Sequence, residues 1–144
     1  MPQKCYVPIA KLGRDEFAHI IDGGDKERIA AAILSISYWD NEWAWIESQL
    51  LLFAADPDCK VLWAVATGFS HQAVFHGEAN LDSVYPALES MKEVVSKNGC
   101  AGSLAGQQAI LNAIADTVED LDFFVSQRRH DPDIELGQRL PADG

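Results

Sequence analysis

The chain has 144 residues, of which 48% are hydrophobic and 23% charged, a balance typical of one globular domain and not of a disordered chain. Its 22 acidic residues against 11 lysines and arginines give a formal net charge of −11, which argues against nucleic acid as a partner because phosphate binding depends on clustered cations. The sequence shows neither the roughly 20 consecutive apolar residues of a membrane span nor a signal-peptide pattern near its start, so we expect a cytoplasmic protein without a membrane partner.

Three cysteines, Cys5, Cys59 and Cys100, are spread along the chain. Their number is odd, and they form no CxxC pair and no cluster with histidine. We therefore expect reduced thiols, in agreement with a cytoplasmic location.

Apolar residues recur at intervals of three and four along the chain, which predicts helices joined by short loops. The predicted helices run from about Arg14 to Ile21, from Asp25 to Trp39, from Asp40 or Asn41 to Ala54, from Asp58 to His76, from Asp82 to Ser96 and from Leu104 to Ser126. Each aspartate or asparagine that precedes a helix can cap it, Gly77 can end the fourth helix, and Pro86 is tolerable in the first turn of the fifth. We expect one all-α domain over residues 1–126 and a polar, flexible tail over residues 127–144.

The third and the sixth of these helices each carry a single apolar stripe, and the fourth is apolar on nearly all sides. The stripe of the third helix consists of Trp43, Ile46, Leu50 and Phe53, and that of the sixth of Ile110, Ile114, Val118, Leu121 and Val125. The fourth helix is apolar nearly all round, from Val61 to Phe75, which is typical of a helix covered on several sides. We expect it to be the central helix.

A weak repeat supports a stacked arrangement. The segment that begins at Asp25 and the segment that begins at Asp58 match in style at an offset of 33 residues, since each starts with a capping aspartate and continues with small apolar residues. A third copy is suggested at Gln108. Three antiparallel helix pairs at this spacing predict an α-solenoid.

The segment from Asp56 to Ala66, DPDCKVLWAVA, resembles the second helix of a HEAT-type repeat, with Leu62 where the repeat usually has arginine. The wider resemblance is to small HEAT-like immunity proteins of bacterial polymorphic and contact-dependent growth inhibition toxin systems. It is carried by Trp43-Ala44-Trp45, residues 67–77, Leu81-Asp82, residues 84–88 and residues 116–124, and it covers about Asp15 to Ser126. The resemblance implies a HEAT-like fold and binding of a cognate toxin domain.

No common catalytic motif, such as HExxH, GxSxG or a phosphate-binding glycine loop, occurs in the sequence. The best case for an enzyme would place His71, His76, Glu47, Asp116 and Asp120 together in a metal or acid/base site. His71 and His76 are about 500° apart around a helix, which is unfavourable for chelation. A buried His71 bonded to a neighbouring helix and a His76 near the negative helix end are the simpler interpretation. We expect no enzyme activity, no metal and no cofactor.

The last helix carries four carboxylates, Asp116, Glu119, Asp120 and Asp122, without a cation among them. At spacings of three and four, like charges repel by roughly 0.2 to 0.5 kcal/mol per pair. A basic partner would relieve this repulsion, and so would solvent ions together with Arg128 and Arg129. Both interpretations stay open.

Trp43 and Trp45 lie about 200° apart around one helix, so both cannot enter the same core. Trp45 is either an aromatic anchor for a partner or packed against the next helix pair. The predicted toxin-binding residues are Trp39, Asp40, Glu42, Trp45, Glu47, Asp116, Glu119 and Asp120. We expect an immunity protein that occludes the active site of a basic toxin domain, such as a nuclease, with a general helical-repeat adaptor and a metal-dependent helical enzyme as alternatives.

Overall fold

The computed structural model describes residues 11–98 and 104–126, and all regular secondary structure in these two ranges is helical. The helices are α1 (Arg14–Gly23), α2 (Lys26–Trp39), α3 (Trp43–Phe53), α4 (Cys59–His76), α5 (Leu81–Asn98) and α6 (Leu104–Leu121), and a π-helical segment (Asp122–Ser126) continues α6. The all-α class is confirmed. The predicted tail over residues 127–144 lies outside the described residues.

Local capping chemistry sets the ends of α2 and α4 as predicted. A side-chain oxygen of Asp25 accepts hydrogen bonds from the backbone N–H groups of residues 27 and 28, and Asp58 does the same for residues 60 and 61. Gly77 ends α4 in the left-handed conformation, with φ at 64°, which glycine adopts without steric cost.

The structure differs from the prediction at the start of α3 and in the helical turn that holds Pro86. Asp40 does not cap α3. It ends α2, and its carboxylate accepts from the N–H of Glu42, so α3 begins only at Trp43. Pro86 is the sixth residue of α5 and therefore lies in the second turn, because α5 begins at Leu81. The carbonyl of Asn80 already accepts from the N–H groups of residues 83 and 84, which moves the helix start towards the N-terminus.

The helices form three consecutive pairs in two layers. The even-numbered helices lie side by side, with α4 between α2 and α6, and these are the most extensive helix contacts in the structure. The odd-numbered helices form the second layer, in which α3 packs on α4 and α5 on α6, while α1 packs on α2. α4 is the central helix, as predicted, and the arrangement is that of a short α-solenoid.

The core lies between the two layers. Ile46 and Leu50 of the predicted α3 stripe are buried, whereas Trp43 and Phe53 at its ends are only half-buried. On α6 and its π-helical extension the stripe is buried except for Val118, which is half-buried. Both stripes therefore point inward.

Cys59, the first residue of α4, is buried and disulfide-bonded. The expectation of a reduced thiol at this position was wrong, because separation along the chain says nothing about which cysteines meet in space. The other two cysteines, Cys5 and Cys100, lie outside the described residues.

None of the described helices combines the length and the apolar character that crossing a membrane requires.

Candidate functional site

Exposed apolar side chains are concentrated on the even-numbered helices and on the segment that follows α6. Of the eight large hydrophobic side chains exposed among the described residues, six lie on α2, on α4 or on the segment after α6: Tyr38, Trp39, Trp63, Val74, Phe75 and Phe123. The remaining two, Leu52 and Val94, lie on α3 and α5. A face with clustered exposed apolar groups is the usual mark of an interaction surface.

A row of stacked rings forms the C-terminal part of this face. The rings of Tyr38 and His71 stack at 4.5 Å between centroids, and those of His71 and Phe75 stack at 4.2 Å. Trp39 meets Tyr38 edge-on at 6.4 Å. We call these four residues the aromatic platform. Tyr38 and Phe75 are 54% and 69% exposed, so the platform presents ring surface to solvent although its members already contact each other.

The platform results from the repeat. Tyr38 and His71 are 33 positions apart, the spacing that also separates Asp25 from Asp58 and the ion-paired residues Glu27 and Lys60. Residues at equivalent positions of α2 and α4 are therefore neighbours, and the two rings meet for this reason.

Desolvation in the stack lowers the pKa of His71 below its ordinary value, and the positive charge that His76 can carry lowers it further. The imidazole is thus neutral near pH 7, and it serves as a third flat ring between Tyr38 and Phe75.

One carboxylate of α6, that of Asp120, lies next to the aromatic platform. The Ser70 hydroxyl, next to His71 on α4, donates a hydrogen bond to Asp120. Asp116 and Glu119 are exposed on the same helix. The predicted carboxylates Asp116, Glu119 and Asp120 are therefore present on α6, and none of them forms an ion pair in the part of the chain that is described.

Asp122, the fourth of the predicted carboxylates, lies on the opposite side of α6. It accepts a hydrogen bond from the hydroxyl of Tyr85 on α5. Burial and this carboxylate raise the pKa of Tyr85 to about 12. Asp122 therefore belongs to the contact between α5 and α6 and not to this group of carboxylates.

The second group of predicted binding residues surrounds Arg14 of α1. The guanidinium of Arg14 binds Asp40 at 2.9 and 3.0 Å and Glu42 at 2.7 Å, and it lies 4.1 Å from the ring centroid of Trp45. Trp45 also meets the buried ring of Phe17 edge-on at 5.8 Å. Hydrogen bonding to Arg14 holds the pKa of Asp40 below its usual range. Arg14 of the same chain therefore already binds both carboxylates and covers one face of the indole.

Glu47, also predicted to bind a partner, is buried. Its Oε1 accepts hydrogen bonds from the Gln72 side chain at 3.0 Å and from the backbone N–H of Asn80 at 2.8 Å. Glu47 therefore joins α3, α4 and the start of α5 from within, and it presents no carboxylate at the surface.

The alternative metal cluster is not assembled. His71 lies in the platform, Glu47 in the interior and Asp120 beside Ser70. Within residues 11–98 and 104–126, no group of three or more histidines, cysteines, aspartates or glutamates is placed to hold a metal ion.

A shallow apolar groove of about 450 Å³ continues the face towards the start of α4. It is lined by Ala30, Ala31, Leu34, Cys59, Lys60, Trp63, Gly106 and Ala109. The platform, the groove and the α6 carboxylates thus form one face that spans all three helix pairs.

Comparison with known proteins adds no relative, because no protein-family model, no curated protein and no solved structure matches the chain. The interpretation of the face therefore rests on its own chemistry.

Sequence reasoning missed the platform. It included Trp39 but not Tyr38, His71 or Phe75. The 33-residue offset contains the necessary information, since it places His71 beside Tyr38. The intramolecular role of Arg14 has no comparable signal in the sequence, because residues 14 and 40 are related only through the packing of α1.

Proposed function

We propose that this chain is a protein-binding module that captures a cationic partner through the outer face of α2, α4 and α6. The observation that carries the proposal is the exposed aromatic platform next to the α6 carboxylates. Aromatic side chains are the preferred anchors of protein interfaces, and carboxylates at the rim select and steer a partner of opposite charge.

The resemblance noted in the sequence makes the partner a toxin domain and the chain its immunity protein. Occlusion fits the chemistry, because carboxylates beside flat rings can occupy a groove that normally holds phosphates and bases. Neutralisation by this route requires no reaction and no cofactor. A cytoplasmic location is the part of this proposal that the disulfide bond at Cys59 weighs against, since such bonds are rare in cytosolic proteins.

The proposal is tested by measuring binding to the product of the adjacent reading frame, for which a secreted toxin is expected. The first variant, Tyr38→Ala with Phe75→Ala, removes two exposed platform rings. Its matched control, Leu52→Ala with Val94→Ala, removes two exposed apolar side chains from the odd-numbered helices. We expect roughly tenfold or greater weakening for the first and none for the second.

The α6 carboxylates are tested separately. Asp116→Asn with Glu119→Gln should slow association and reduce its dependence on salt, whereas Asp22→Asn with Glu89→Gln changes the net charge equally on α1 and α5 and should leave the rate unchanged. If the platform variant and the α6 carboxylate variant both bind as tightly and as fast as the wild type, this face is not the binding surface. Binding without protection of cells from the partner would favour the adaptor.

A further inference from the structure

We propose that the groove between α5 and α6 binds the chain's own C-terminal segment, with Ile134 and Leu136 entering the groove and a neighbouring carboxylate pairing with Lys92 at its rim. This proposal is independent of the proposed function, because it concerns a different groove and a contact within the chain. It makes the segment after Ser126 the cap of the last helix pair.

The groove lies on the last helix pair of the stack. Its lining comes from α5 and α6 alone, and it encloses about 400 Å³. Leu88 and Ile114 are buried, whereas Leu111 and Val118 are only half-buried and still present apolar surface to solvent. The terminal pair of an α-solenoid exposes a face that an inner pair would bury, and such a face requires a cap.

The C-terminal segment is long enough to reach every part of this groove. Along α6 and its extension, the path from Ser126 back to Val118 is roughly 12 Å and that to Leu111 roughly 22 Å, because a helix rises about 1.5 Å per residue. An extended chain covers about 3.3 Å per residue, so Ile134 can lie up to about 26 Å from Ser126. Leu136 reaches further still.

The segment carries the side chains that the groove accepts. Ile134 and Leu136 are two positions apart, so they point to the same side of an extended chain. Asp133 and Glu135 alternate with them. The exposed Lys92 lines the groove and forms no ion pair with any residue in the described ranges. Opposite charges therefore meet at the rim when the two apolar side chains enter the groove.

Covalent attachment favours this occupant over a second copy of the chain. A segment tethered by a short flexible linker has an effective concentration on the order of millimolar at its site. Two copies, each with a formal net charge of −11, repel one another as they approach. At protein concentrations well below the millimolar range, the contact within one chain therefore prevails.

The test uses the full chain with labelled isoleucine, leucine and valine methyl groups, followed by NMR. Nuclear Overhauser effects should connect Ile134 and Leu136 with Leu88 or Val118. The variant Ile134→Ser with Leu136→Ser should remove them, shift the groove methyl signals and speed amide hydrogen exchange in the adjoining turns of α5 by roughly threefold or more. The control Leu140→Ser removes an apolar side chain of the same segment outside the proposed contact, and it should do none of this.

An exchange of charges tests the ion pair separately. Lys92→Glu should weaken the contact, and so should Asp133→Lys with Glu135→Lys. The three changes together should restore the groove signals of the wild type, because the opposite charges then meet again. Restoration distinguishes a direct contact from damage to the fold, which further substitutions in the segment would not repair.

Three results would overturn the proposal. The first is the absence of the Overhauser effects, or groove signals that are the same in the wild type and in the Ile134→Ser, Leu136→Ser variant. The second is a dependence of the groove signals on protein concentration, because the occupant would then be a second copy. The third is an equal effect of Leu140→Ser, or a charge exchange that restores nothing, since either would place the contact elsewhere.

Discussion

Gly68 on α4 lies so close to Leu50 on α3 that a β-carbon at position 68 would stand 2.8 Å from the Cδ2 methyl of Leu50. The same β-carbon would stand 2.7 Å from the hydroxyl oxygen of Ser37 on α2. Leu50 is fully buried, and the Ser37 hydroxyl donates to the carbonyl of Ile33, so neither side chain is free to move away. Glycine at this position therefore allows α2, α3 and α4 to meet.

Gly68→Ala should lower the free energy of unfolding by about 1–3 kcal/mol, because the added methyl overfills this contact. Urea denaturation measures the loss. Gly23→Ala is the matched control, since a β-carbon at the end of α1 meets no atom within 4 Å. Its effect should be neutral or stabilising by up to about 1 kcal/mol. A Gly68→Ala protein as stable as the wild type would show that the helices have room to spare.

Glu47→Ala should destabilise the protein, because it leaves the N–H of Asn80 and one N–H of the Gln72 amide without an acceptor, while the other N–H of that amide still donates to the carbonyl of residue 78. Each buried donor that loses its partner costs about 1–3 kcal/mol. Glu47→Gln keeps one carbonyl acceptor and should lose less. Glu89→Ala, on the exposed surface of α5, should change stability by no more than about 0.5 kcal/mol. Equal unfolding free energies for Glu47→Ala and Glu89→Ala would contradict the interior role of Glu47.

His71 should make stability depend on pH below its ordinary pKa of 6.5, because desolvation and the nearby His76 lower its pKa in the folded state. Between the lowered value and 6.5 the unfolded chain binds more protons than the folded one. The free energy of unfolding therefore rises with pH in this window, and the stabilisation is lost as pH falls through it.

NMR titration of the His71 ring should give a midpoint below 6.5, and the variant His71→Phe, which keeps a ring in the stack, should show a weaker dependence of unfolding free energy on pH. A midpoint above 6.5, or identical pH dependence in the two proteins, would argue against the desolvated stack.

The disulfide bond at Cys59 predicts the number of free thiols. Since the chain has three cysteines, the unfolded oxidised protein should react as one thiol and the reduced protein as three. Peptide mapping without reductant will identify the partner as Cys5 or Cys100. Reduction should lower the free energy of unfolding by about 2–4 kcal/mol. Three reactive thiols before reduction would show that the bond does not form.

The helices and most of their ends could be predicted because they depend on local chemistry. The apolar period fixes the faces of α3 and α6, and the capping side chains of Asp25 and Asp58 act on N–H groups only two or three residues away. The start of α3 was predicted wrongly because the local pattern at Asp40 is ambiguous. An aspartate between two helices can end one or begin the next, and its bond to Arg14, 26 residues earlier, is invisible in the local pattern.

The site was harder to predict because its members come from three helices. The sequence of α3 does not distinguish a buried Glu47 from an exposed one. Only the approach of Gln72 and Asn80 shows that its carboxylate accepts hydrogen bonds in the interior. The acidic stretch of α6 was recognisable, since it depends on one helix alone. Whether Asp120 or Asp122 faces the platform required the positions of Ser70 and Tyr85.

The three helix pairs are joined at two different registers. Glu27 and Lys60, which link α2 to α4, are 33 residues apart, whereas Ser70 and Asp120, which link α4 to α6, are 50 apart. The odd-numbered helices differ accordingly, with 11 residues in α3 and 18 in α5. The pairs are therefore not interchangeable modules. If one pair were duplicated or moved, the residue spacing on one of its two sides would not match that of its new neighbour. This mismatch restricts lengthening or shortening of the stack by recombination.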